Sequence, residues 1–117
     1  MKRIESRLNT ASAEFQANAE HNRRLAQEFK QKQARARDER PQRDIDRLRS
    51  QDKLLVRERL QRLLDPGTPF LEFSSLAANE AYGGEVPGAA CVTGIGIVSG
   101  REVVINAGDA SVKGGSW

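Results

Sequence analysis

Lys113-Gly114-Gly115-Ser116 is the stretch of this sequence best suited to hold an anion. Two glycines permit a turn in which backbone N–H groups converge, and the lysine adds a point charge. The order is wrong for a nucleotide-hydrolysing loop, which sets Gly-Lys-Ser/Thr after four spaced residues, and a plain surface turn has the same composition. Gly94-Ile95-Gly96-Ile97-Val98-Ser99-Gly100 has the wrong spacing for a dinucleotide loop, and strand-forming residues follow it where a helix N-terminus is required. His21, the single histidine, stands in a charged segment without the Cys, His or paired carboxylates of a metal site, so neither a metal nor a nucleophilic triad is assigned. Cys91 lies in an apolar run with no cationic neighbour and reads as an inert core thiol. Glu72, Glu85 and Asp109 are scattered, which leaves no carboxylate pair for acid–base work. No catalytic residue is assigned. Lys53, Arg57 and Arg59 are further basic candidates for an anionic ligand or a neighbouring subunit, solvated helix charges being the plainer reading.

The elements that must position these residues differ sharply along the chain. Residues 1–65 hold 17 of the 19 Lys and Arg and 11 of the 16 Asp and Glu, whereas residues 66–117 contain every glycine and an excess of acids. Acids and bases alternate in the first half, as in Arg37-Asp38-Glu39-Arg40, which describes a solvated helix face rather than the unbroken basic stripe that nucleic acid selects. No apolar run approaches the roughly 20 residues that span a bilayer, and the first residues lack an apolar leader; with the mixed charge, the expectations are no nucleic acid, no membrane and a cytoplasmic location, or an organelle matrix if an import signal was lost. Ile4, Leu8, Ala11, Phe15, Asn18, Asn22, Leu25 and Phe29 recur at steps of three and four, predicting an amphipathic helix that needs a surface to lie on. Pro41 ends it. The expected divisions are a helix over 1–40, a charged connector over 41–53 with one short helix around Ile45 and Leu48, and a β-prone domain over 54–117. In the last, Val56, Leu60, Leu63 and Leu64 share a helix face and Asp65-Pro66-Gly67 stops it. Phe70–Phe73 is a short strand, and Cys91–Val98 with Arg101–Asn106 forms a hairpin about Ser99-Gly100, in which Gly94 and Gly96 are tolerable under close packing. With helices lacking anything to cover, the isolated chain is expected to melt without a cooperative transition.

In this order the motifs resemble one family. Glu14-Phe15-Gln16-Ala17-Asn18, Lys53-Leu54-Leu55-Val56-Arg57-Glu58-Arg59-Leu60, Leu63-Leu64-Asp65-Pro66-Gly67-Thr68-Pro69-Phe70-Leu71-Glu72, Val92-Thr93-Gly94-Ile95-Gly96 and Asp109-Ala110-Ser111-Val112-Lys113-Gly114-Gly115-Ser116 are similar to the opening of the β (carboxyltransferase) subunits of biotin-dependent acyl-CoA carboxylases. The methylcrotonoyl-CoA type is nearest, with propionyl-CoA and geranyl-CoA carboxylases as neighbours. The resemblance implies an α/β chain in which a long N-terminal helix precedes the start of a crotonase-like β-β-α fold. It implies transfer of a carboxyl group from carboxybiotin to an acyl-CoA through an enolate held by backbone amides. Those amides lie in Gly-rich segments downstream of residue 117, so the fragment alone is expected to be inactive. It further implies biotin carried by a biotin carboxylase/biotin carrier α subunit, a homo-oligomer of β subunits, and Lys113, Gly114 and Gly115 bordering the CoA phosphates. Three departures stand out: Gln51-Asp52 where the family has Arg-Gly, Val56 where it has Pro or a small polar residue, and Gly108-Asp109 where it has Asn-Asp. Two other readings of the residues are a stand-alone, non-catalytic interaction module whose helix docks on a partner, and a basic RNA-associated helix.

Overall fold

The computed structural model describes residues 4–116, which divide into two units between Lys32 and Gln33. Six main elements follow one another: α1 (Ala13–Asp38), α2 (Gln42–Ser50), α3 (Val56–Leu63), β1 (Leu71–Phe73), β2 (Cys91–Val98) and β3 (Arg101–Gly108). Among the described residues no helix is long and apolar enough to cross a membrane.

The first helix begins at Ala13 and not at Ile4, which corrects the apolar periodicity by its caps. Asn9 folds a turn, with Oδ1 accepting the Ala11 N–H, and Ser12 Oγ accepts the Phe15 N–H, so the polar side chains satisfy the first-turn donors and fix the start. Ile4 and Leu8 lie ahead of the helix and are exposed. No side chain of α1 is buried, and Leu25 and Phe29 remain open to solvent.

The expected connector contains α2, whose Leu48 is buried. Its end shows what replaced the family's glycine. The Lys53 N–H bonds Leu48 O at 2.9 Å and the Asp52 N–H bonds Arg49 O at 3.0 Å, a Schellman stop that places Asp52 in the left-handed region at φ +53°. Glycine takes this backbone without the Cβ penalty. Asp52→Gly is therefore expected to stabilise this end of α2 by about 0.5–1 kcal/mol, read as slower hydrogen exchange at the Lys53 amide; unchanged exchange would show that the aspartate carries no strain.

The second departure is absorbed by packing. Val56, the first residue of α3, is buried, and the Glu58 carboxylate accepts the Leu55 N–H at 2.8 Å. The Arg49 guanidinium, and then that N–H, hold the Glu58 carboxyl below its ordinary range. Val56 and Leu60 join Val92, Ile105 and Ala107 in the core, with Leu64 and Phe70 against it, so α3 does have a sheet to cover. Leu63, expected on the same face, points outward instead.

The sheet is antiparallel in the order β1-β2-β3, and β2 and β3 pair from Cys91↔Gly108 to Val98↔Arg101. Ser99 (φ +50°) and Gly100 (φ +74°) make the mirror-type turn that suits a twisted hairpin. Asp65 clamps it: its carboxylate accepts the Ser99 and Gly100 N–H groups, both at 2.7 Å, and its own N–H bonds Ile97 O. The stop after α3 and the hairpin turn are thus one structure. In β1 exposure alternates along the strand: Leu71 and Phe73 face outward, and Glu72 faces the other side, held by both terminal nitrogens of Arg57 at 2.8 Å.

Candidate functional site

The chain leaves β3 at Gly108 and makes a tight, buried anchor before it reaches the lysine. Asp109 and Ser111 are each only 3% exposed, and Val112 is as deeply packed. One Asp109 oxygen accepts the N–H and hydroxyl of Ser111, while the other accepts Arg40 Nε at 3.0 Å and Nη2 at 2.8 Å. This anchor holds the following turn, Lys113–Gly115, in which all three residues have positive φ: +43°, +70° and +79°. Two glycines make such a run accessible, and at Gly115 it is the backbone at φ +79° that disfavours a side chain, since a Cβ would meet Ala110 Cα only at 3.4 Å.

The turn does not offer both glycine amides to a ligand. The Gly115 N–H bonds Val112 O at 2.7 Å, and Ser116 donates through its N–H and its hydroxyl to Lys113 O. What the turn presents is the lysine. Lys113 Nζ stands 3.4 Å from Glu85 Oε2 and 5.2 Å from the centroid of the Tyr82 ring. Two cavities meet at it. One, of about 380 Å³, has mostly apolar walls that include Ala78, Tyr82, Val86 and Ala89; the other, of about 360 Å³, is polar and includes Arg40, Arg43 and Glu85. The site therefore combines Lys113, an aromatic face and an apolar recess with a neighbouring recess lined by charges of both signs, a chemistry that suits an elongated ligand with an anionic and an apolar part.

Lys53, Arg57 and Arg59 line neither cavity. Arg57 is committed to Glu72, Arg59 donates to Gly108 O at 3.3 Å, and the Lys53 side chain is exposed. Arg57 is thus a structural arm between α3 and the sheet, whereas Arg59 is an exposed helix charge that also reaches Gly108 O. The three acids, scattered in sequence, are each paired with a base: Glu72 with Arg57, Glu85 with Lys113, Asp109 with Arg40. Tyr82 and Glu85 are the site residues that sequence reasoning missed, since both come from a run of short turns without periodicity. His21 is exposed on α1 beside Arg24, and among the described residues no three His, Cys, Asp or Glu are grouped to hold a metal ion. At the third departure, a Cβ on Gly108 would meet nothing within 4 Å, so the backbone there leaves room for a side chain to start.

Comparison with known proteins places this geometry. The family described as "Carboxyl transferase domain" matches residues 47–117, a stretch that includes α3, the whole sheet and the lysine turn. The chain is 54% identical over 99 residues to the biotin-dependent 3-methylcrotonyl-coenzyme A carboxylase beta1 subunit of Mycobacterium tuberculosis, covering 85% of this chain and 19% of that protein. It is 42% identical over 115 residues to a probable mitochondrial methylcrotonoyl-CoA carboxylase beta chain of Drosophila melanogaster, covering 97% of this chain and 20% of that one. Among solved structures, the beta subunit of geranyl-CoA carboxylase from P. aeruginosa is similar over 97% of this chain and 21% of its own, with a TM-score of 0.62 and 34% identity. The chain thus spans about a fifth of the length of these relatives. With α3, the three-stranded antiparallel sheet and the lysine turn all inside the match, the chain belongs to the carboxyl transferase domain family.

Proposed function

We propose that residues 54–117 form the beginning of the N-terminal domain of an acyl-CoA carboxylase carboxyltransferase subunit, with the hairpin and turn opening a crotonase-like β-β-α fold. The assembled enzyme would move a carboxyl group from carboxybiotin to 3-methylcrotonyl-CoA or a related acyl-CoA, a step of leucine degradation in the first case. In this reading Lys113 meets a CoA phosphate, Gly114 and Gly115 shape the turn that presents it, and the apolar recess beside Tyr82 takes a less polar part of the coenzyme. The observation that carries it is the lysine turn, pinned by Asp109 and Ser111 at the junction of an apolar and a polar cavity, inside a stretch matched to the family. A single ammonium beside apolar walls suits a phosphate-bearing thioester carrier. The family resemblance, and no geometry of this chain, gives biotin to a biotin carboxylase/biotin carrier α subunit, and no residue of this chain is assigned to it. The open face of α1, with Leu25 and Phe29 exposed, supports a role in packing against other β subunits, and a cytoplasmic location accompanies the reading.

The test is a graft. Residues 1–117 replace the matching fifth of the mycobacterial relative, and carboxylation of 3-methylcrotonyl-CoA is assayed with the biotin-carrying subunit. Activity is expected to survive. Lys113→Met in the graft is expected to raise KM for the acyl-CoA about 5–20-fold with kcat little changed, the pattern of a contact that binds substrate and transition state alike. A soluble, assembled graft without activity would refute the functional reading, and an unchanged KM would refute the role of Lys113.

A further inference from the structure

We propose that Glu85 is a latch on Lys113, an internal anion that a phosphate-bearing ligand must displace before the ammonium can be used. The inference rests on reading Lys113 as a phosphate contact. It starts from the position of the lysine at the meeting of the two cavities, where its two neighbours pull toward opposite sides. Tyr82 belongs to the apolar cavity and Glu85 to the polar one, and Lys113 lines both. The Tyr82 ring, 5.2 Å away, holds the ammonium by cation–π attraction and asks for no counter-charge; Glu85, 3.4 Å away, is the anion already paired with it, for which a phosphate would compete.

The latch is built to yield. The Glu85 side chain is 71% exposed, so its pair with Lys113 is screened by water and held weakly. Its backbone is one short turn from the aromatic ring, the Glu85 N–H reaching Tyr82 O at 3.4 Å, and Tyr82 and Gly83 between them take left-handed backbone conformations at φ +52° and +68°. A few dihedral changes in this turn move the carboxylate without disturbing the Asp109 anchor on the other side of the lysine. Glu85 thereby sets the threshold of the site. A weak anion such as a carboxylate gains nothing by exchanging with it, whereas a phosphate ester with greater charge does.

The experiment measures binding of coenzyme A, dephospho-coenzyme A and inorganic pyrophosphate at fixed salt by equilibrium dialysis, with the chain carried in the full-length graft described above. Glu85→Gln is expected to tighten coenzyme A binding about two- to fivefold, the size of a partly exposed ion pair released. Glu102→Gln removes the same charge at the far end of the hairpin and is expected to change nothing. In a Lys113→Met background Glu85→Gln should have no further effect. Loss of the gain with dephospho-coenzyme A assigns the displacing group to the 3′-phosphate, and a gain that persists with pyrophosphate assigns it to the diphosphate; either supports the latch. If Lys113→Met weakens binding but Glu85→Gln does not strengthen it, or strengthens it equally without the lysine, the latch is refuted and the phosphate contact stands. If Lys113→Met binds like the parent, or the parent shows no binding, the phosphate contact itself falls and the latch with it.

Discussion

Asp109→Ala is expected to loosen the hairpin by about 3–5 kcal/mol, because it leaves the Arg40 guanidinium buried beside an empty acceptor. The side chains of Arg40 and Asp109 are 10% and 4% exposed, and 69 positions of sequence separate them. The pair is tied into its surroundings on both sides. Arg40 also donates to Glu39 O and Ala36 O, and Asp109 binds Ser111 through one oxygen and Ala90 O through its own N–H at 2.7 Å. Breaking it frees the chain on either side of β3's end, including the turn that carries Lys113. Arg40→Ala should cost a similar amount, whereas the double replacement Arg40→Met/Asp109→Leu, which removes both charges and keeps the volume, should recover most of the loss. Hydrogen exchange at the β2 and β3 amides measures these differences locally and does not require a cooperative melt. If the double variant is as unstable as the sum of the single ones, the two side chains are uncoupled and the pair is not the anchor described.

What the sequence discloses follows the range of the interactions. The hairpin is legible because Ser99-Gly100 and the flanking apolar runs are neighbours in the chain, and the register that results, Cys91↔Gly108 to Val98↔Arg101, is local. The start of α1 depends on Asn9 and Ser12, polar signals that a search for apolar spacing passes over. The Lys113 turn can be singled out by composition, but its surroundings cannot, since Tyr82 and Glu85 come from a glycine-rich run of short turns between β1 and β2. Charge is the instructive case. The basic excess of residues 1–65 and the acidic excess of residues 66–117 suggest independent surfaces, yet Arg57–Glu72 and Arg40–Asp109 join one to the other. Much of the charge that composition marks as available to outside partners is already used within the chain.

The glycines of β2 show the opposite limit, where a residue's importance lies in the absence of a side chain. A Cβ on Gly94 would stand 2.4 Å from Phe70 Cζ and 2.6 Å from Leu71 O, and one on Gly96 would stand 2.3 Å from Leu64 Cδ2. Both positions face Phe70, and Gly96 also faces Leu64 just past the end of α3, so these side chains rest directly on the backbone of the central strand. The two clashes are of different kinds. Leu64 is the end of a flexible side chain at the edge of the core and can turn aside, whereas Leu71 O belongs to the paired neighbouring strand and cannot move without breaking the β1–β2 ladder. Gly94→Ala is therefore expected to destabilise the sheet by about 2–3 kcal/mol and Gly96→Ala by about 1 kcal/mol, both within the range for overpacked cores. Phe70→Leu combined with Gly94→Ala should recover only part of the loss, because it relieves the ring contact and leaves the carbonyl contact in place. Hydrogen exchange at the β2 amides, compared across the four chains, reads the order directly. Equal costs at the two glycines, or full rescue by the smaller side chain at position 70, would mean that the strand backbone yields and that the close approach of Phe70, Leu71 and Leu64 does not set the packing of this sheet.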